Sequence, residues 1–149
     1  MIVGLHRQLF AAAALTAIGF AGSAAADTQT LKLVEHASTD AVTDTGEEED
    51  SVGDILTFAN QVYDEANKNQ VGTDNGWCMR TAAGQAWECF WTLILKDGQI
   101  TVEGPFYDSS DSVLVVTGGT GKYAGAKGDM KLHSRDAKGT AYDFVYELL

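Results

Sequence analysis

The chain has 149 residues and a formal net charge of −11, from 21 acidic and 10 basic side chains. That length holds one domain with one sizeable core. The charge excludes nucleic acid and anionic membrane surfaces as natural partners, because phosphate would be repelled from most of the surface.

The chain opens with a single arginine, Arg7, ahead of an apolar run from Leu9 to Phe20, and small residues then end in Ala24-Ala25-Ala26. A charged start, an apolar middle and an Ala-x-Ala ending make the pattern of a secretory signal peptide, with cleavage expected near Ala26. An uncleaved anchor is the alternative, and the cleavage-like ending favours removal. No later stretch is apolar enough to span a bilayer, so no stable membrane anchor is expected after cleavage. The expected domains are a signal peptide at 1–26 and a secreted or periplasmic domain at 27–149. Losing Arg7 leaves that domain one unit more negative.

The rest reads as β throughout. Leu31–His36 is a short first strand, followed by a long polar loop with the acidic run Glu47-Glu48-Glu49-Asp50. Four consecutive acids lack the spaced oxygens of a Ca²⁺ loop, so a solvated loop is expected. Asp54–Tyr63 alternates, with Leu56, Phe58 and Asn60 on one face. Val71–Thr81 and Gln85–Lys96 follow, and Asp97-Gly98 leads into Gln99–Tyr107 as a hairpin signal. Ser112–Thr117, Asp129–Ser134 and Thr140–Leu148 complete eight strands. No run has a convincing helical period. Eight meandering strands with short connections predict an all-β, eight-stranded antiparallel up-and-down barrel, with a β-sandwich as the alternative.

The stretch VVTGGTGKYAGAKG, Val115–Gly128, invites a nucleotide reading that fails on spacing. A phosphate-binding loop ending at Gly121-Lys122 would need glycine where Val116 stands and a hydroxyl where Tyr123 stands. A dinucleotide fingerprint can be laid on Gly119, Gly121 and Ala124, but it lacks a βαβ frame. The expected role is a corner between two strands.

Closing the third and fourth strands as a hairpin on Ala83-Gly84 sets Cys78 against Cys89, Arg80 against Trp87 and Trp77 against Phe90. Directly opposed Cα atoms lie within disulfide range, and two cysteines in an exported chain suit one bridge. Two reduced thiols on one face remain the alternative. His36 and His133 are the only histidines after the leader and supply no zinc-site spacing, so no metal is expected. No nucleophile motif is present.

Six segments carry a resemblance to a known family: GDILTFANQVYD (Gly53–Asp64), VGTDNGWCMR (Val71–Arg80), AWECFWTL (Ala86–Leu93), DGQITVEGPF (Asp97–Phe106), VLVVTGGTGKYAGAKG (Val113–Gly128) and YDFVYEL (Tyr142–Leu148). In this order they resemble the allene oxide cyclase and dirigent superfamily, most closely its bacterial allene-oxide-cyclase-like branch. The resemblance implies an eight-stranded barrel, usually trimeric, with an apolar ligand cavity in its mouth. It also implies cofactor-free control of a reactive substrate's shape.

Carried over residue by residue, the cavity positions of the cyclases fall on Leu56, Phe58, Asn60 and Cys78. The cavity phenylalanine falls on Trp87, and the cavity tyrosine on Phe106, which lacks the hydroxyl. The acidic residue of the first strand corresponds to Glu35, without the Ser-Pro pair that follows it in the cyclases. Glu35 and Cys78 are thus the candidate catalytic residues, and authentic allene oxide cyclase activity is not expected. Placing Cys78 inward turns Arg80 inward too. Arg80 then either anchors a ligand or forms an ion pair, with Asp74 or Glu35 as the expected carboxylate, since an unpaired buried charge is costly.

Three functional readings follow. The first is a cofactor-free cyclase, isomerase or stereo-directing barrel for a small hydrophobic substrate. The second is a non-catalytic binder of a lipid-like or phenolic ligand. The third is a structural protein whose barrel is filled by Trp87, Trp91 and Phe106.

Overall fold

The computed structural model describes residues 28–149; the expected signal peptide and its cleavage point lie outside the described residues. Nine strands run through the described residues: β1 Gln29–His36, β2 Ala41–Thr43, β3 Ile55–Asp64, β4 Gln70–Ala82, β5 Ala86–Leu95, β6 Gly98–Tyr107, β7 Ser112–Gly121, β8 Gly128–Ser134 and β9 Ala141–Leu148. From β3 to β9 each strand pairs with the next in antiparallel fashion, and β1 closes the ring by pairing with both β9 and β3. Eight strands therefore form a closed antiparallel barrel, which leaves no open edge among them.

The ninth strand, β2, is a correction to the expected eight. Its three residues are all exposed and sit in a stretch too polar to read as a strand. They pair because β1 ends early. β1 covers Gln61–Asp64 of β3, and β2 covers Ile55–Thr57 further along the same edge. Between them, Phe58–Asn60 has no strand partner on that side, and the 37–40 loop crosses there.

Strand alternation sorts the side chains as a barrel requires. Leu33, Val62, Leu93, Ile100, Leu114, Met130 and Tyr146 point inward, each at most 5 % exposed. They pack one half of the barrel solid. Tyr123 and Leu148 are buried in the same core.

The hairpin register agrees with the sequence reading: Cys78 pairs with Cys89, Arg80 with Trp87 and Trp77 with Phe90. The β5–β6 turn is shifted by one residue. Leu95 pairs with Gly98, so Lys96-Asp97 makes the turn and Gly98 opens β6. A side chain at Gly98 would strike the Thr120 carbonyl, and its φ of 154° suits glycine. The glycine-rich stretch packs onto this turn, with the Lys122 amide donating to the Asp97 carbonyl at 2.8 Å. β7 continues to Gly121, four residues beyond the expected Thr117. These glycines allow close backbone approach at the filled end of the barrel.

Candidate functional site

The opposite end of the barrel holds a cavity of about 50 Å³. Its aromatic wall is Phe58, Trp91, Phe106, Tyr142 and Phe144. Trp91 stacks on Phe144 at 5.6 Å between ring centroids and meets the Phe58 ring edge-on at 6.0 Å. Phe106 and Tyr142 form a second edge-on pair at 5.8 Å. That pair also borders an outer groove of about 500 Å³ between the 108–111 and 136–139 segments. Gly76 makes the inner space possible: a side chain there would run into the Phe58 ring and the Trp91 Cβ.

The polar wall is built around Asn60. Its Oδ1 accepts from the Ser38 amide (3.1 Å), the Thr39 amide (2.9 Å) and the Thr39 hydroxyl (2.8 Å). Those three donors fix which way the amide points. The Nδ2 must then face acceptors, and it donates to Glu35 Oε1 and to Asp40 Oδ1, the latter at 2.7 Å. The Asn60 backbone amide donates to Asp74 Oδ1 at 3.2 Å. Thr39 Oγ1 also accepts from the Ala59 amide at 2.8 Å, closing the gap that β1 and β2 leave along β3.

Three carboxyl groups thus meet one asparagine, two at its side chain and one at its backbone amide, and among the described residues no lysine, arginine or histidine lines the cavity. Glu35 is 3 % exposed and Asp74 is fully buried. Burial pushes Glu35 up to about 9, with the neighbouring charges of Asp74 and Asp40 adding to it against the Asn60 hydrogen bond. Burial likewise raises Asp74 to about 7. Desolvation disfavours the charged form of each acid. At neutral pH Glu35 is a neutral carboxylic acid. Its Oε1 accepts from Asn60, so its proton belongs on Oε2, which has no protein partner. Tyr142, across the cavity, is raised to about 12 by burial and then by Glu35 and Asp40.

The residues named from sequence divide by depth. Leu56, Phe58, Asn60, Cys78, Phe106 and Glu35 line the cavity. Arg80 and Trp87 do not; they lie above it at the rim, in a separate groove with Asp50 and Asp108. The expected partner of Arg80 is corrected. Asp74 lies six residues away along β4, about 20 Å by strand rise. Arg80 instead donates from Nε to Asp50 at 2.6 Å and from Nη1 to Asp108 at 2.7 Å, with its guanidinium 4.0 Å from the Trp87 ring centroid. It closes an ion pair at the rim and is not a free anchor.

Cys78 and Cys89 are joined in a disulfide. Cys78 therefore presents no thiol, and both sulfurs serve as cavity wall. Asp40, Tyr142 and Phe144 were not singled out from sequence, while Asp74 was named only as a partner for Arg80 and Trp91 only as a filler of the barrel. Asp74 and Trp91 carried a usable signal: each lies an even number of residues from Cys78 or Cys89, on the same inward face. Among the described residues no group of three or more His, Cys, Asp or Glu is arranged to hold a metal ion.

The family model for allene oxide cyclase matches residues 28–136. The chain belongs to the allene oxide cyclase family. Solved structures add the breadth of that barrel. A pyocyanin demethylase is 25 % identical, with a TM-score of 0.70, over 81 % of this chain and all of its own. The pterocarpan synthase dirigent protein PsPTS1 is 12 % identical with a TM-score of 0.67, over 83 % of this chain and 94 % of its own. The Diels-Alderase AbmU from Streptomyces koyangensis is 16 % identical with a TM-score of 0.64, over 83 % and 69 %. The last two likenesses establish the shared fold alone.

Proposed function

We propose that this family member is an exported, cofactor-free enzyme of the cyclase or isomerase type, acting on a small, mainly apolar substrate. The observation that carries this is Glu35: a buried carboxylic acid, held by Asn60 through one oxygen, whose other oxygen is unpartnered beside aromatic walls. Such a group donates a proton to a substrate carbonyl or epoxide oxygen. Its conjugate carboxylate then faces the positive charge that develops on carbon, and takes the proton back when product forms. The aromatic walls exclude water and hold one substrate conformer, which supplies proximity and facial selectivity. Family membership supports the same class of chemistry.

Export is supported by the disulfide, which persists in oxidising compartments. Self-association is supported by the outward-facing pair Trp77 and Phe90 on β4 and β5, of which Trp77 is 45 % exposed.

The test is a panel of small unsaturated ketones and epoxides, with product handedness read by chiral chromatography. Wild-type protein is expected to give enantiomeric excess on at least one member. Glu35→Gln is expected to lose about 10²–10⁴-fold in rate. An E35Q protein that turns over as fast as wild type overturns the acid's role. If no member of the panel is turned over but several bind, the non-catalytic reading takes its place.

A further inference from the structure

Asp74 is a buried acid that the chemistry proposed above leaves unused. It stands opposite Asn60 on β3 and Leu93 on β5. It is fully buried and is not part of the cavity lining, so it does not touch a substrate. Among the described residues no lysine, arginine or histidine pairs with it. Its Oδ1 accepts from the Asn60 backbone amide at 3.2 Å, and the Asn60 side chain donates to Glu35. One asparagine therefore joins the two acids, but their surroundings are unequal. Glu35 has one side-chain donor, Asn60 Nδ2, and shares it with Asp40. Asp74 has the Asn60 amide, and its free Oδ2 is buried in a core that also holds two donors without a partner, Trp91 Nε1 and the Tyr146 hydroxyl. Tyr146 faces Trp91, then Asp74, and Glu35 more weakly. Donors favour the charged form of a carboxyl, and a like charge nearby favours the neutral form of its neighbour. A single proton between the two acids belongs on Glu35.

We propose that Asp74 is the positioning residue of the site: it carries the buried negative charge, and through that charge and Asn60 it keeps the working proton on Glu35. The proposal rests on Glu35 as the general acid and adds the residue that sets its strength. Asp40 from the β1–β2 loop and Tyr142 and Tyr146 from β9 are the other titratable groups facing the pair. β5 turns Trp91 and Leu93 inward, and β6, β7 and β8 turn in apolar side chains such as Val102, Leu114 and Met130. The proton balance closes within the site. When Glu35 Oε2–H protonates a substrate oxygen, two carboxylates are left bonded to Asn60. Their repulsion makes Glu35 the stronger base, and the proton returns to it as product forms. A neutral side chain in place of Asp74 leaves Glu35 a stronger acid and a weaker base.

Both carboxyls can be titrated directly by carbon-13 NMR of uniformly labelled protein, with the side-chain signals assigned through the backbone. In wild type, Asp74 is expected to ionise first and Glu35 after it, at about 9. Asp74→Asn retains an oxygen for the Asn60 amide and removes the charge. It should lower the Glu35 midpoint by at least about one pH unit. The alkaline limb of kcat/KM on the ketone and epoxide panel should move down by the same amount. KM for neutral substrates should stay unchanged, because Asp74 is not part of the cavity wall. A Glu35 midpoint that D74N leaves in place, or a wild-type Glu35 that ionises before Asp74, overturns the proposal. The wild-type order decides the matter even if D74N does not fold. The two readings fail separately. A lowered Glu35 midpoint in D74N, with E35Q turning over as fast as wild type, keeps the positioning role and removes the general acid. Loss of turnover in E35Q with an unmoved Glu35 midpoint in D74N does the reverse.

Discussion

Glu35 sits where a carboxyl is least comfortable when charged, and the fold tolerates it by keeping it protonated. The consequence for stability has a definite sign. A carboxyl whose folded value is raised binds a proton in the native state at pH values where the unfolded chain has lost it. Stability is then highest below the ordinary carboxylate range and falls as pH rises, until about 9 for Glu35 and about 7 for Asp74. Thermal melts are expected to drop steadily from pH 5 to 9. Glu35→Gln should flatten the upper part of that slope and Asp74→Asn the lower part; a wild-type melt that rises with pH contradicts the protonated acid. Glu35 was nominated through the family resemblance, as the acid of the first strand. Its partners were harder to see. Asp40 comes from a polar loop that periodicity cannot place, and Asp74 was offered as a partner for Arg80 because both share the inward face of β4. Facing inward is legible in alternation, whereas depth along the barrel is set by the stagger between strands.

At the scale of elements, the rim is held by two devices of different kind. The disulfide ties β4 to β5 just below the mouth, across a sequence separation of 11. Removing it through Cys78→Ser with Cys89→Ser is expected to cost about 2–3 kcal/mol in urea unfolding, as a short closed loop predicts. A thiol titration of native protein should find none free. Arg80 ties two loops to the same place, since Asp50 also accepts from the Gly84 amide and Asp108 closes the β6–β7 side. Arg80→Ala leaves two carboxylates facing each other and strips the cover from Trp87. It should cost about 1–3 kcal/mol and expose the 44–52 loop to proteolysis. Arg80→Lys should recover little, because an ammonium cannot fork between both acids and stack on an indole at once. If R80K unfolds at the wild-type urea midpoint, the forked geometry is unimportant. The hairpin register behind both devices was legible from opposed pairs. β2 was not, because three exposed residues carry no hydrophobic signal and pair only where β1 has left an edge uncovered.

For the whole molecule, the sequence pattern led to a closed barrel because strand count, short connections and the lack of helical period agreed with one another. The pattern could not say which end is hollow. That is decided by side-chain volume: Leu33, Leu93, Ile100 and Tyr146 fill one end, while Gly76 and the spread rings of Phe58, Phe106 and Tyr142 leave room at the other. The outer wall carries its own test. Trp77→Glu should lower the mass seen in sedimentation from an oligomer to a monomer without unfolding the barrel; a monomeric wild type would remove the proposed self-association.

The ring is closed by its first strand against its last, Gln29 opposite Leu148. A chain synthesised from its amino end therefore presents β1 long before β9 exists. Until the final residues emerge, β1 has only a four-residue pairing with β3 to hold it, and its ladder groups stay open to any other strand. Closure is then a late event over nearly the whole sequence, and distant pairing of this kind is slow. The acid that defines the cavity travels on that waiting strand, so the site is assembled only when the last strand arrives.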